Sequence, residues 1–209
     1  SIVAYSQYLA DHYQHQLQQD ERNLIQSIIR RIDHGGYPKK EYLTHPSIAA
    51  SVAYALQQEL SWNSLPDLDE LSQFWSQQLG LSAVAMSGAK SLLPELKQRG
   101  YKLAVISNGG HATRLSILQG LGFSHYFDAI VSSGLLGISK PNSEIFLHTS
   151  RQLGVSAQHC LYVGEQPRND IQGATDAGMT AIWLEGFHDA GAHRPINRIQ
   201  NLAEIKQFL

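Results

Sequence analysis

The fold class is decided by a short apolar run that passes directly into a polar, glycine-containing turn: LAVISNGG, residues 103–110. Its first four residues have the composition of a buried strand, and a helical pattern follows from about residue 111. Three more apolar runs of strand length occur at 129–131, 160–163 and 181–184, with helical patterns near 88–99, 111–120, 142–153 and 169–177. This alternation predicts an α/β fold, a doubly wound parallel sheet with helices on both faces.

The chain before about residue 87 has a different character. Its apolar residues fall at helical spacing from Ile2 to Leu17 and from Leu24 to Ile32, with further helical stretches at about 46–60 and 67–79. No run in this part has the pattern of a strand. We therefore predict two domains, an all-helical module at 1–86 and an α/β domain at 87–209.

Composition excludes several classes of protein. Of the 209 residues, 43% are hydrophobic and 16% are charged, which is typical of a globular chain. The net charge of -2, without a block of Lys and Arg, argues against a nucleic-acid or anionic membrane surface. No apolar stretch reaches the roughly 20 residues that span a bilayer. The single cysteine, Cys160, predicts a buried structural thiol and, with the other features, a cytoplasmic protein.

Polar residues follow the first two strands. Ser107, Asn108 and Gly109 sit between a strand and a helix, an arrangement that can bind an anion through a hydroxyl and backbone N–H groups. Lys140 stands just before a helix, where a cation is unfavourable unless an anion lies beside it. Taken singly, these features also fit a plain turn with a capping residue and a solvated lysine.

Two carboxylates follow the third strand. Glu165 comes directly after it, and Asp170 lies at the start of the next helix, where an acid also favours the helix dipole. Carboxylates beside a phosphate are typical Mg²⁺ ligands. Because ligands of parallel α/β sheets bind beyond the carboxyl ends of the strands, the three strand ends together predict a phosphate pocket with magnesium.

These segments resemble the motifs of the haloacid dehalogenase superfamily, in its branch with a helical cap. Residues 105–109 are similar to that family's second motif, residues 139–146 to its third, and residues 163–179 to its fourth. The helical first half is similar to the cap, with a weaker likeness in the turn at 36–39. The resemblance implies a Rossmann-like core and a Mg²⁺-dependent phosphatase acting through an aspartyl-phosphate. Ser107, Asn108, Gly109 and Lys140 would bind phosphate, Ser107 and Lys140 would be catalytic, and Glu165 with Asp170 would hold the metal.

The sequence departs from the family pattern at two places. Glu165 stands where the family usually has Asp, which lengthens the reach of the carboxylate by one methylene. The first motif, a strand ending in Asp-X-Asp that supplies the nucleophile, is absent. Asp67 and Asp69 have that spacing, but they open a helix inside the presumed cap and follow no strand.

In the family's fold, the missing strand lies at the centre of the sheet, between the strands that end at Ser107 and Val163. We therefore expect more chain before Ser1, or a partner chain in that slot, and we expect residues 1–209 alone to be inactive.

Three functional interpretations remain open: a phosphatase acting on a small phosphorylated metabolite, a 2-haloacid dehalogenase, and a non-catalytic protein of the same fold. Dehalogenases need no metal, so Glu165 and Asp170 favour the phosphatase. The cap would close over the pocket. Tyr37, Trp62 and Trp75 are candidate lid aromatics, although packing in the core is the expected role of such residues. Monomer and homodimer are both compatible with the sequence.

Overall fold

The computed structural model describes residues 2–33, 38–189 and 197–209. The chain divides into two compact units: one comprises the chain up to Val84 and the segment Leu115–Gly122, and the other comprises Ala85–Arg114 and Phe123–Leu209. The first division falls close to the predicted boundary at residue 86, whereas the return of 115–122 to the helical unit was not predicted. In the turn at 36–39, Gly36 and Tyr37 lie outside the described residues. The lid role suggested for Tyr37 therefore stays a prediction.

Over its described residues, the first unit contains four long helices. They are α1 (Ile2–His12), α2 (Arg22–Asp33), α3 (Ile48–Glu59) and α4 (Leu68–Leu81). The Ser47 hydroxyl accepts a hydrogen bond from Ala50 N and caps α3. Asp67 caps α4 by accepting from Asp69 N at 2.8 Å. The Asp67–Asp69 pair therefore begins a helix, as predicted, and no described strand lies beneath it.

An apolar core joins these helices. Tyr5, Leu9, Ile25, Ile28 and Leu56 are among its fully buried members. Such burial contributes about 25 cal/mol per Å² of apolar surface, which makes the core the main source of stability of this unit.

The two described tryptophans of this unit belong to its core. Trp75 is only 3% exposed. Trp62 packs against the core, and its Nε1 donates to the Leu56 carbonyl at 3.0 Å. Both indoles therefore have the packing role that was expected of them.

The second unit alternates strands and helices. Its elements are α5 (Ala89–Gln98), β1 (Ala104–Ser107), α6 (His111–Gly120, divided between the units after Arg114), β2 (Ala129–Ser132), α7 (Ser133–Leu136), α8 (Ser143–Leu153), β3 (Leu161–Gly164), α9 (Gly173–Asp176), β4 (Thr180–Leu184) and β5 (Arg198–Ile199). All four predicted strands are confirmed to within one residue. The predicted helix at 169–177 is instead a π-helical turn, Pro167–Gln172, followed by the short α9.

The strands form two parallel sheets. β1 pairs with β2 in the register Ser107↔Ser132, and β3, β4 and β5 pair in that order, with Gly164 opposite Trp183. Over the described residues, no ladder joins β1 to β3. The sheet is therefore interrupted between the strands that end at Ser107 and Gly164, the position at which the sequence predicts a missing strand.

Burial shows which edges are covered. Along β4, Ala181 and Trp183 pack into one apolar cluster with α8, while Ile182 and Leu184 pack into another with α5, so this strand is buried on both faces. In β1 and β3, by contrast, apolar residues such as Val105 and Val163 remain partly exposed. These two strands are less covered than central parallel strands ordinarily are.

Two smaller expectations can be compared with the structure. Cys160 is half-buried rather than buried, as are the residues of β3 that follow it; burial raises the pKa of its thiol. Over the described ranges, no helix has both the length and the apolar character needed to cross a bilayer.

Candidate active site

The end of β1 is held by contacts to neighbouring loops. Ser107 is 8% exposed, and its hydroxyl donates to the Asn108 carbonyl at 3.2 Å. The Asn108 side chain bonds to the main chain of Lys140 twice: Nδ2 donates to Lys140 O at 3.0 Å, and Oδ1 accepts from Lys140 N at 2.8 Å. The segments that follow β1 and β2 are thereby joined directly.

The next residue, Gly109, is tied to the end of β2. Its N–H donates to the Ser133 hydroxyl at 2.9 Å, and its carbonyl accepts from Gly134 N at 3.0 Å. Gly109 has φ +121°, a conformation that L residues with side chains rarely adopt. A Cβ on Gly134 would lie 2.8 Å from the Gly109 carbonyl oxygen, so the two loops approach as closely as glycine allows.

The ammonium of Lys140 lies in the gap between β1 and β3. Nζ is 2.5 Å from Asp170 Oδ1, 3.1 Å from the Tyr162 hydroxyl and 3.3 Å from the Ile106 carbonyl oxygen. The Lys140 side chain is 10% exposed and that of Asp170 is 4% exposed. A charge pair this well buried is held in place by the surrounding hydrogen bonds, because water cannot replace them.

Asp170 uses both of its carboxylate oxygens. Oδ1 accepts from Lys140 Nζ and from the Tyr162 hydroxyl, while Oδ2 accepts from Glu165 N at 3.1 Å and Gln166 N at 2.9 Å. Four acceptor positions are about the capacity of a carboxylate. Asp170 therefore anchors Lys140 and the turn after β3, and a role for it as a metal ligand stays a prediction.

Gly164 makes room for this anchor. A Cβ at Gly164 would lie 2.3 Å from the Asp170 Cβ, so no larger residue fits there without moving Asp170. Tyr162 and Gly164 share one face of β3 because side chains alternate along a strand. Tyr162 lies in the apolar run at 160–163, and its packing on Phe146, with ring centroids 5.0 Å apart, agrees with an apolar role. The polar contact of the Tyr162 hydroxyl with Asp170 was not predicted. Its signal in the sequence is a tyrosine two residues before a glycine, on the face of β3 that meets Asp170.

Glu165 offers the more open carboxylate. Its side chain is 36% exposed, and its Oε1 lies 3.9 Å from His188 Nε2. Burial raises the pKa of Glu165 and so does the charge of Asp170, whereas His188, Lys140 and Arg114 act in the opposite direction. His188 and Arg114 are basic neighbours that the sequence patterns did not indicate, since each comes from a loop or helix outside the three motifs.

The fit to magnesium can be judged from these donors. Mg²⁺ is ordinarily held by one or two carboxylates, with substrate oxygens and water completing the octahedron. Glu165 fits the role of one such carboxylate. Over the residues that the structure describes, no group of three or more His, Cys, Asp or Glu side chains gathers as a ready-made metal cage. This edge of the sheet therefore suits an ion that shares its coordination with a substrate.

A cavity of about 390 Å³ lies beyond the end of β4. Trp183 and residues 185–189 line it. Trp183 Nε1 donates to the Glu165 carbonyl at 2.9 Å, which joins the cavity wall to the turn after β3. The cavity thus adjoins the polar groups described above.

In the second unit, polar groups gather beyond the carboxyl ends of parallel strands, the edge at which ligands ordinarily bind in α/β sheets of this kind. The family model of haloacid dehalogenase-like hydrolases matches residues 20–184. The chain belongs to that family, as the three motifs predicted.

Individual proteins extend this comparison. A glyceraldehyde 3-phosphate phosphatase of Methanothermobacter thermautotrophicus is 44% identical over 126 residues, which are 57% of this chain and 56% of that protein. The chain spans about half the length, or less, of the curated relatives it matches first.

Solved structures agree on the fold. A HAD-hydrolase of Bacillus subtilis, YfnB, bound to magnesium, matches with a TM-score of 0.68 at 23% identity, over 100% of this chain and 91% of that one. A 2-haloacid dehalogenase of Pseudomonas syringae pv. Tomato DC3000 matches with a TM-score of 0.62 at 24% identity, over 99% and 90% of the respective chains. These likenesses concern the fold, and they do not separate a phosphatase from a dehalogenase.

Proposed function

We propose that the protein is a Mg²⁺-dependent phosphatase that hydrolyses a small phosphomonoester through an aspartyl-phosphate. One observation carries the proposal: a continuous series of hydrogen bonds runs from Asn108 to the Lys140 main chain, from Lys140 Nζ to Asp170, and from Asp170 to Glu165 N. It joins the ends of three strand segments whose motifs predict phosphate binding. A buried cation beside an open carboxylate suits a phosphate monoester and its metal, whereas a dehalogenase needs no metal.

The residues of this chain would divide the work. The Lys140 ammonium would offset negative charge on the transferring phosphoryl group, and the Ser107 hydroxyl would donate to one of its oxygens. Asp170 would keep Lys140 at the edge of the sheet. Glu165 would bind Mg²⁺, and the ion, when bound, would offset the repulsion between phosphate and carboxylates.

We also propose that the nucleophilic aspartate comes from a strand inserted between β1 and β3. The support is the interruption of the sheet there among the described residues, together with the partial exposure of apolar residues on both strands. The intact mass of the natural protein tests whether the strand is part of the same chain. A mass clearly above 23.2 kDa is expected. A mass near that value would contradict a same-chain strand and point to a partner chain.

Glyceraldehyde 3-phosphate is the first substrate to test, because the relative named for that activity is 44% identical over more than half of this chain. Phosphoglycolate, sugar phosphates and nucleoside monophosphates complete a panel of phosphomonoesters, and 2-haloacids represent the alternative chemistry. Released phosphate and released halide are measured on the natural protein with Mg²⁺ and with a chelator. We expect phosphate release that requires the metal. Halide release without phosphate release would favour the dehalogenase. The absence of both activities would favour the non-catalytic protein.

A further inference from the structure

We propose that the Asn108 side chain is a positioning group for Lys140 and that it acts on phosphate only through that lysine. The sequence alone indicates a phosphate ligand at this position. This inference rests on the proposed function for its effect on turnover, whereas the contact that it invokes can be measured without any activity.

The carboxamide of Asn108 pairs with the main chain of Lys140 in the way that two strands pair. One N–H donates to the Lys140 carbonyl at 3.0 Å, and the oxygen accepts from the Lys140 N–H at 2.8 Å. Both distances are ordinary for N–H···O hydrogen bonds. Two bonds to a single residue restrain its direction as well as its distance, so the Lys140 Cα is fixed relative to the end of β1.

We call this pair of hydrogen bonds the Asn108 clamp. The main chain of Asn108, from which the clamp extends, is itself fixed. Asn108 stands between Ser107, the last residue of β1, and Gly109, whose N–H and carbonyl are bonded to Ser133 and Gly134. Asn108 is therefore tied to both strands of the first sheet. Its side chain carries that order across to the loop that bears Lys140.

A lysine needs such a restraint because its side chain is long and flexible. Its rotamer freedom works against any single placement of the ammonium. In this structure the tip is held by Asp170 and Tyr162, at 2.5 and 3.1 Å, and the base is held by Asn108. Holding both ends places the charge where a phosphoryl group would meet it.

The first test measures the contact by NMR amide exchange in the natural protein. The Lys140 N–H should exchange about tenfold faster in Asn108→Ala, which removes both bonds. Asn108→Asp keeps an acceptor for that N–H and loses the donor to the carbonyl, so it should give an intermediate rate. Asn197→Ala is the matched control, because Asn197 also donates from its side chain to a main-chain carbonyl, that of Ala181 at 3.4 Å.

Amides of β1 and β2 report whether each variant folds. With those amides protected, an unchanged Lys140 exchange rate in Asn108→Ala would overturn the inference. Should Asn108→Ala lose the fold, Asn108→Asp decides in the same way: faster exchange supports the clamp, and unchanged exchange refutes it.

The second test separates positioning from direct binding by kinetics with p-nitrophenyl phosphate. A positioning role predicts that Asn108→Ala lowers kcat/KM by about 10- to 100-fold in the natural protein but by less than twofold in a Lys140→Ala background. Losses that multiply across the two sites would show that Asn108 touches phosphate itself and would overturn the inference. If the natural protein hydrolyses no phosphomonoester, the proposed function fails, and amide exchange alone decides on the clamp.

Discussion

Breaking the buried Lys140–Asp170 pair should lower the free energy of unfolding of the second unit by several kcal/mol. The loss should differ according to which of the two residues is replaced. Asp170→Ala leaves the ammonium, on a side chain that is 10% exposed, without its carboxylate. It also removes the acceptor of the Glu165 and Gln166 N–H groups. Removing one member of a buried ion pair ordinarily costs about 3–5 kcal/mol, and we expect Asp170→Ala to fall in that range.

Lys140→Met should cost less. The Asp170 carboxylate keeps three donors in that variant, the Tyr162 hydroxyl and two main-chain N–H groups. One lost charge-assisted hydrogen bond corresponds to about 1.5–3 kcal/mol. The double variant should be more stable than the sum of the two losses implies, because no ammonium is then left unpaired.

Urea unfolding followed by circular dichroism at pH 7 measures all three free energies, with an unchanged dependence on urea as the sign that the unfolding transition is comparable. Glu144→Ala provides the exposed counterpart, since it breaks the Glu144–Arg151 pair, whose side chains are 46% and 60% exposed. That loss should stay below about 1 kcal/mol. An Asp170→Ala protein as stable as Glu144→Ala, or strict additivity in the double variant, would show that Lys140 and Asp170 do not stabilise each other as a buried ion pair.

Two further predictions concern stability away from the site. Hydrogen bonds from Lys97, at 2.8 and 2.9 Å, hold the pKa of Asp128 below its usual value, so its contribution is present at neutral pH and lost as the pH falls below about 4. Asp128→Asn should therefore destabilise by up to about 1 kcal/mol at pH 7 and by less at pH 3; an equal urea-unfolding loss at both would count against this. In the helical unit, the buried Tyr5 hydroxyl has no hydrogen-bond partner among the described residues, whereas that of Tyr13 donates to Glu70 at 2.9 Å. Tyr5→Phe should raise or preserve the melting temperature. Tyr13→Phe should lower it, because the lost hydrogen bond contributes about 1 kcal/mol to the free energy of unfolding. The reverse order would contradict these hydrogen-bonding states of the two hydroxyls.

The strands of the second unit were largely predictable because most of them are apolar runs that stand out from the surrounding sequence. Four apolar runs bounded by turns gave the four longer strands, and alternation with helices gave the parallel arrangement. β5 was not predicted, because a strand of only two residues, Arg198–Ile199, is too short to show a periodic pattern. The turn after β3 was predicted as a helix at 169–177, whereas it forms a π-helical turn at Pro167–Gln172, in which Asp170 Oδ2 accepts from Glu165 N and Gln166 N.

The site was predictable as a list of residues but not as a set of contacts. Spacing indicated Ser107, Lys140, Glu165 and Asp170, since each follows a strand. It did not show that Asp170 would spend its oxygens on Lys140 and on main-chain N–H groups, because that depends on the distance between two loops. The geometry therefore sharpens the metal prediction toward Glu165, the carboxylate that remains open.

The most direct test of the account is the rate of phosphate release by the natural protein and its Lys140→Ala variant, with Mg²⁺ and the best phosphomonoester of the panel. Lys102→Ala is the matched control, because the Lys102 ammonium donates to the Leu153 carbonyl at 2.6 Å in an exposed contact of the same unit. We predict that Lys140→Ala lowers the rate at least about 100-fold and that Lys102→Ala leaves it unchanged. Equal rates for Lys140→Ala and the natural protein would contradict a catalytic role for Lys140.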